Sequence, residues 1–156
     1  MLDQGALAGD LRAFLAPADG DLPASAPESA RLLADAYARY LLGAAPPLVP
    51  AGVDVQKLLL VEQLTALYDS AGGAVEPFLA AFVSFWSPAV PPTLVAGAAA
   101  IVAAGFAPAA SAVLTAAMAA AQAGATDFPE QLAAALHAGT LAVAITTPAG
   151  TPLVLA

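Results

Sequence analysis

Hydrophobic positions along this chain recur mostly at helical spacing, with one extended stretch near the C-terminal end. Leu7, Leu11, Phe14 and Leu15 share one side of Leu2–Ala16 while Asp3, Asp10 and Arg12 lie away from it, which predicts a short amphipathic helix. Pro17-Ala-Asp-Gly-Asp-Leu-Pro23 then reads as a turn. Ser25 and Glu28 have capping-box spacing at the head of the best-defined helix, which runs to about Leu42 and stops at Gly43. Leu33, Ala36, Tyr37, Tyr40 and Leu41 form its apolar side. Arg31, Asp35 and Arg39 follow at i,i+4 steps on the other, a pattern that predicts two weak ion pairs on a solvated face before any binding role for the arginines.

Ala44-Ala-Pro-Pro-Leu-Val-Pro50 is too rich in proline for a helix and predicts an extended connector. Asp54 suits the N-cap of a helix from Val55 to about Ala71, apolar at Val55, Leu58, Leu59, Leu67 and Tyr68 and ended by Gly72-Gly73. Ala74–Trp86 predicts another helix. It carries Phe78, Phe82, Phe85 and Trp86, the main aromatic concentration, and so marks the centre of the core or of an interface. Beyond Pro88, Pro91 and Pro92, two Ala-rich helices are expected over Thr93–Ala107 and Pro108–Ala123.

Asp127 and Glu130 repeat the capping-box spacing and introduce a helix from Phe128 to about Ala138, closed by Gly139. The period then changes. Thr140–Thr147 alternates, with Leu141, Val143 and Ile145 on one face, which predicts a half-buried strand; Pro148–Pro152 turns the chain into a very short second strand at Leu153–Leu155. Two strands alone are marginal in water, and no third strand is evident from the pattern. The tail therefore either packs flat on the helices or pairs its edge with another chain, and pairing is the favoured expectation. Phe82, Phe85, Trp86, Leu141, Val143, Ile145, Leu153 and Leu155 are the candidate interface residues.

Composition changes the weight of these signals. The 156 residues are 60% hydrophobic with a mean hydropathy of +0.81, but 45 of them are Ala. Without Ala, the apolar share falls to an ordinary level for a soluble core, and Ala itself favours closely packed helices. The expected fold is mainly α, an Ala-rich bundle of six to seven helices with a short C-terminal strand or hairpin. One domain, 1–156, is expected, in three parts: an acidic amphipathic helical part over 1–73, an uncharged Ala-rich helical part over 74–139, and a C-terminal arm over 140–156.

Charge is uneven as well. All four basic residues, Arg12, Arg31, Arg39 and Lys57, lie in the first third of the chain, and no charged residue falls between Glu76 and Asp127. A net charge of −8 without a basic cluster argues against nucleic-acid binding and against docking on an anionic membrane. Leu94–Leu114 is uncharged and long enough to span a bilayer. Its strong apolar residues contribute about −3.5 kcal/mol to insertion, offset by Gly, Pro and Ser, and neither end carries the Lys or Arg that sets topology. A buried pair of Ala-rich helices is thus favoured over spanning. Acids within the first ten residues exclude a secretory leader there, so the protein is expected to stay where it is made.

Chemistry is sparse. There is no Cys, Lys57 is the only lysine and His137 the only imidazole; the phosphate-binding, Gly-x-Ser-x-Gly and His-Glu-x-x-His patterns do not occur. His137 falls near a helix end, where a structural role suffices. Asp19-Gly20-Asp21 lacks the spacing of a calcium loop. No catalytic residue, cofactor or metal site is read from the chain.

Phe85-Trp-Ser-Pro88, the proline-rich break, the Ala-rich helices, the Leu136-His137-Ala138 helix end and the closing Thr140–Thr147 strand with its Pro-Ala-Gly-Thr-Pro turn resemble small virion proteins of tailed bacteriophages. The resemblance covers roughly residues 76 to 156 and implies a non-catalytic component of a tail, neck or baseplate, assembled in the host cytoplasm. Such a protein would be a homo-oligomer in contact with other structural proteins of the same assembly. The alternative is a small holin-like protein of the inner membrane that spans with residues 74–124.

Overall fold

A computed structural model describes residues 1–70 and 74–156. Six helices occur among them: α1 (Gln4–Leu15), α2 (Ala26–Leu41), α3 (Pro50–Asp69), α4 (Val75–Phe85), α5 (Phe106–Gln122) and α6 (Phe128–Leu141). A 3-10 turn spans Pro91–Thr93, and three short strands, β1 (Ala100–Val102), β2 (Ala144–Thr146) and β3 (Pro152–Leu153), form an antiparallel sheet in the order β1-β2-β3. The fold is mainly helical, with a small sheet built chiefly by the C-terminal residues.

Local chemistry explains the helix starts. Asp3 caps α1 by accepting from the Ala6 N–H at 2.9 Å. On α2, Ser25 Oγ accepts from the Glu28 N–H at 3.3 Å while Glu28 Oε2 accepts from the Ala24 N–H at 2.8 Å, a capping box displaced by one residue on its return bond. For α3 the expected cap at Asp54 gives way to an earlier start. Pro50 stands in the first turn, where its fixed φ suits a helix, and the preceding Val49 is extended with its N–H donating to the Leu94 carbonyl at 2.9 Å. Asp54 instead sits 3.7 Å from Lys57, which also reaches Asp35 at 3.1 Å. The expected stop at Gly72-Gly73 lies outside the described residues.

One core cluster runs from Leu2 to Leu155, so the three parts of the sequence share a single interior. Helix α1, from the acidic front, packs on α6 from the back half, and α2–α3 and α5–α6 are neighbouring pairs. Tyr37, Phe82, Phe85, Trp86 and Phe106 fill the centre. Phe82 meets Tyr37 edge-on at 5.0 Å between ring centroids and lies parallel to Phe106 at 5.9 Å.

The back half departs from the sequence pattern at two places. Thr93–Ala107 is not a helix: Val95 bridges to Leu48, Gly97 takes a φ of 78°, and Ala100–Val102 forms β1. Ala propensity is a small preference, and here pairing with β2 outweighs it. The strand expected over Thr140–Thr147 is shorter, because α6 continues through Gly139 to Leu141. Gly139 is a packing site rather than a stop: a Cβ there would stand 2.9 Å from the Phe106 ring.

The third strand overturns the premise that the tail has no partner in its own chain. Ile101, Ile145 and Leu153 are in register across the sheet, and Ile145 is buried. Beyond β3, Ala156 and Ala45 exchange two backbone hydrogen bonds of 3.0 Å, which ties the tail to the α2–α3 connector. The Met1 nitrogen donates to the Gly43 carbonyl of the same connector.

Candidate functional site

The candidate interface residues occupy different positions. Phe82, Phe85 and Trp86 are buried in the chain's own core, as are Val143, Ile145 and Leu155; Leu153 is half-buried against that core. Leu141 alone is exposed, at the end of α6 rather than on a strand.

The buried aromatic residues are organised by polar contacts that apolar periodicity does not reveal. Trp86 Nε1–H donates to Tyr37 Oη at 2.8 Å, Tyr37 Oη lies 2.7 Å from Thr140 Oγ1, and the Thr140 hydroxyl donates to the Leu136 carbonyl at 2.7 Å. Since the single Thr140 proton points to Leu136, the Tyr37 hydroxyl is the donor to Thr140. The chain of bonds joins the end of α4 to α2 and α6 and satisfies each hydroxyl it contains. Burial pushes the pKa of Tyr37 up despite these bonds, so it stays a neutral donor. Nearby, Tyr40 Oη lies 2.6 Å from His137 Nδ1, and burial raises Tyr40 too. His137 thus has a partner on α2 rather than only a helix end. Gln56, also buried, donates from Nε2 to the Phe85 carbonyl at 2.7 Å and holds the last turn of α4.

Charged side chains pair across elements more than along them. Arg31 lies 3.5 Å from Asp35 as its spacing predicts, but Arg39 reaches Asp10 on α1 at 3.4 Å instead of completing the second pair. Glu130 does not reach back to cap α6. Its Oε1 accepts from Arg12 Nε at 2.7 Å, linking α6 to α1, while Gln131 Nε2 donates to Asp127 at 3.1 Å. The bond to Arg12 holds the Glu130 carboxyl below its ordinary range.

Beyond the core, two apolar features of the described residues bear on function. The first is on α3. Val53, Leu60 and Leu64 turn inward, leaving Val55, Leu58 and Leu59 on the outside at 59, 67 and 46% exposure. The i, i+3, i+4 spacing makes them one patch. Of the apolar positions expected on this helix, Leu67 and Tyr68 are half-buried while Val55, Leu58 and Leu59 are exposed, because α3 is apolar on two sides and the other side is buried.

The second is a pocket of about 390 Å³ to which all six helices contribute. Phe14 and Leu15 of α1, Leu33 of α2, Tyr68 of α3, Phe78 of α4, Leu114 and Met118 of α5 and Leu132 of α6 supply most of its wall; Ser29 and Tyr68 add hydroxyls, and no described residue lining it is charged. Tyr68 is held up to about 12 by burial alone.

Comparison with protein-family models, curated proteins and solved structures finds no match to this chain. No helix among the described residues is long and apolar enough to cross a membrane, and the Leu94–Leu114 window is divided among the loop after the 3-10 turn, β1 and the first half of α5.

Proposed function

We propose that this protein is a non-catalytic structural subunit of a multi-copy assembly, in which the outer face of α3 packs against a neighbouring copy. The exposed Val55–Leu58–Leu59 patch carries this reading. Three branched aliphatic side chains contiguous on one helix are the composition of an interface centre, and packing α3 against α3 of a second copy would cover them on both chains at once, as a two-fold contact requires. A net charge of −8 makes copies repel one another at long range, and an apolar contact centre offsets that repulsion. Val102 of β1 and Val154 beyond β3 are exposed as well and offer a separate surface to other components of the assembly.

The resemblance to small tailed-phage virion proteins gives the assembly its proposed setting, a tail, neck or baseplate put together in the host cytoplasm. Multi-angle light scattering on the purified chain tests the self-association. The expected result is a defined oligomer that Leu58→Glu converts to a folded monomer. A wild-type monomer at about 100 μM, well above the concentrations at which a standard-size interface associates, would sink the proposal, and so would an unchanged oligomer of Leu58→Glu.

A further inference from the structure

We propose that the pocket shared by the six helices binds a small, neutral, largely apolar molecule that accepts a hydrogen bond. The site does not depend on the α3 face and adds a ligand to the assembly reading. Its size is that of a small-molecule site, and its position between helices of a bundle is one where such sites form. Phe14, Phe78 and Met118 give it aromatic and adaptable walls suited to an alkyl chain or a ring system.

Polarity narrows the ligand further. Tyr68 lines the pocket and carries a phenol that burial keeps protonated, so it offers a donor to whatever enters. Ser29, a lining residue on the first turn of α2, supplies a second hydroxyl. The ionised residues directly next to lining positions in the sequence are carboxylates, Glu28, Asp69 and Asp127; two residues away come Asp35, Glu76 and Glu130 and also Arg12 and Arg31, the arginines being paired with Glu130 and Asp35. With no charged side chain among the described residues of the wall and the nearby arginines already paired, nothing there pairs an anion, so the site discriminates against fatty acids and other anionic amphiphiles and accepts a neutral ketone, ester or alcohol.

Two fluorescent probes with one skeleton separate the charge effect from the apolar one. N-phenyl-1-naphthylamine is neutral, and 1-anilinonaphthalene-8-sulfonate adds a sulfonate. Titration of the full chain is expected to show saturable one-to-one binding of the neutral probe and roughly tenfold weaker binding of the sulfonate, the cost of bringing an unpaired charge against an apolar wall. Ala26→Trp, which fills the pocket at the first turn of α2, is expected to weaken the neutral probe by at least about tenfold, whereas Leu58→Glu on the outer face leaves it unchanged. Displacement by 2-undecanone tests the donor without altering pocket volume: Tyr68→Phe is expected to weaken the ketone roughly fivefold to tenfold while the probe itself binds as before. Absence of saturable binding, equal binding of the sulfonate, a ketone indifferent to Tyr68→Phe, or loss with Leu58→Glu but not with Ala26→Trp would each overturn the proposal. Should Ala26→Trp fail to fold, the Tyr68→Phe and sulfonate comparisons still decide it.

Discussion

A Cβ at Gly52 would stand 1.4 Å from the Thr93 carbonyl oxygen, well inside any permitted contact. The first turn of α3 thus rests directly on the 3-10 turn at Pro91–Thr93, and only glycine allows that approach. Gly52→Ala must separate two backbones that Val49 and Leu94 also join, so it is expected to exceed the roughly 1–3 kcal/mol of ordinary overpacking and to lower the Tm by on the order of 10 °C in thermal unfolding. Gly9 supplies the contrast. Nothing lies within 4 Å of the corresponding Cβ in mid-α1, and Gly9→Ala is expected to stabilise by roughly 0.5–1 kcal/mol through helix propensity alone. The Trp86–Tyr37–Thr140 chain gives a third residue-level expectation. Thr140→Val keeps the shape but leaves the buried Tyr37 hydroxyl without its acceptor, at a cost of about 1–3 kcal/mol by urea denaturation; a shift indistinguishable from zero would show that the bond contributes nothing net.

Between elements, the contact with a pH signature is Arg12–Glu130, which joins α1 to α6 far along the sequence. The folded Glu130 pKa is depressed, so the stabilisation it brings is present above the ordinary carboxylate pKa of about 4.3 and is lost as pH falls through the lower folded value. Both side chains are partly exposed, which makes the effect small and sensitive to salt. The urea midpoints of wild type and Glu130→Gln are expected to differ near neutral pH and to converge below about pH 4, and to converge likewise at about 1 M NaCl. A gap that persists under both conditions would assign the stabilisation to packing rather than charge.

The elements differ in how openly the sequence announces them, for physical reasons. Helices α1, α2 and α4 each have one apolar side, and their periodicity was enough. Helix α3 has two such sides, and periodicity alone does not say that Val53, Leu60 and Leu64 go in while Val55, Leu58 and Leu59 stay out. Strand β1 is hidden for the opposite reason. Ala dominates its surroundings and favours helix, and only Ile101-Val102 and the two flanking glycines, Gly97 and Gly105, signal an extended segment whose stability comes from β2 more than forty residues later. The pocket is the least legible feature, since six helices each give it one or a few residues that separately read as core.

At the scale of the whole molecule, the interior is continuous, and the C-terminal residues belong to it. Ile145 is fully buried between β1 and β3, Val143 and Leu155 are buried beside it, and the final residue is paired to the connector between α2 and α3. Strand β2 has both edges occupied within the chain, by β1 and β3. Damage to this strand should therefore appear as lost stability, whereas damage to the α3 face should appear as lost association. Ile145→Ala is expected to lower unfolding stability by about 2–5 kcal/mol, as removal of a buried aliphatic side chain does, and to leave the molar mass of the folded protein unchanged in light scattering. Leu58→Glu is expected to do the reverse, with little change in monomer stability at a site open to solvent. If Ile145→Ala instead dissociated the oligomer while the monomer remained as stable as before, the tail would be a joint between copies after all, and the α3 face would lose its place as the assembly contact.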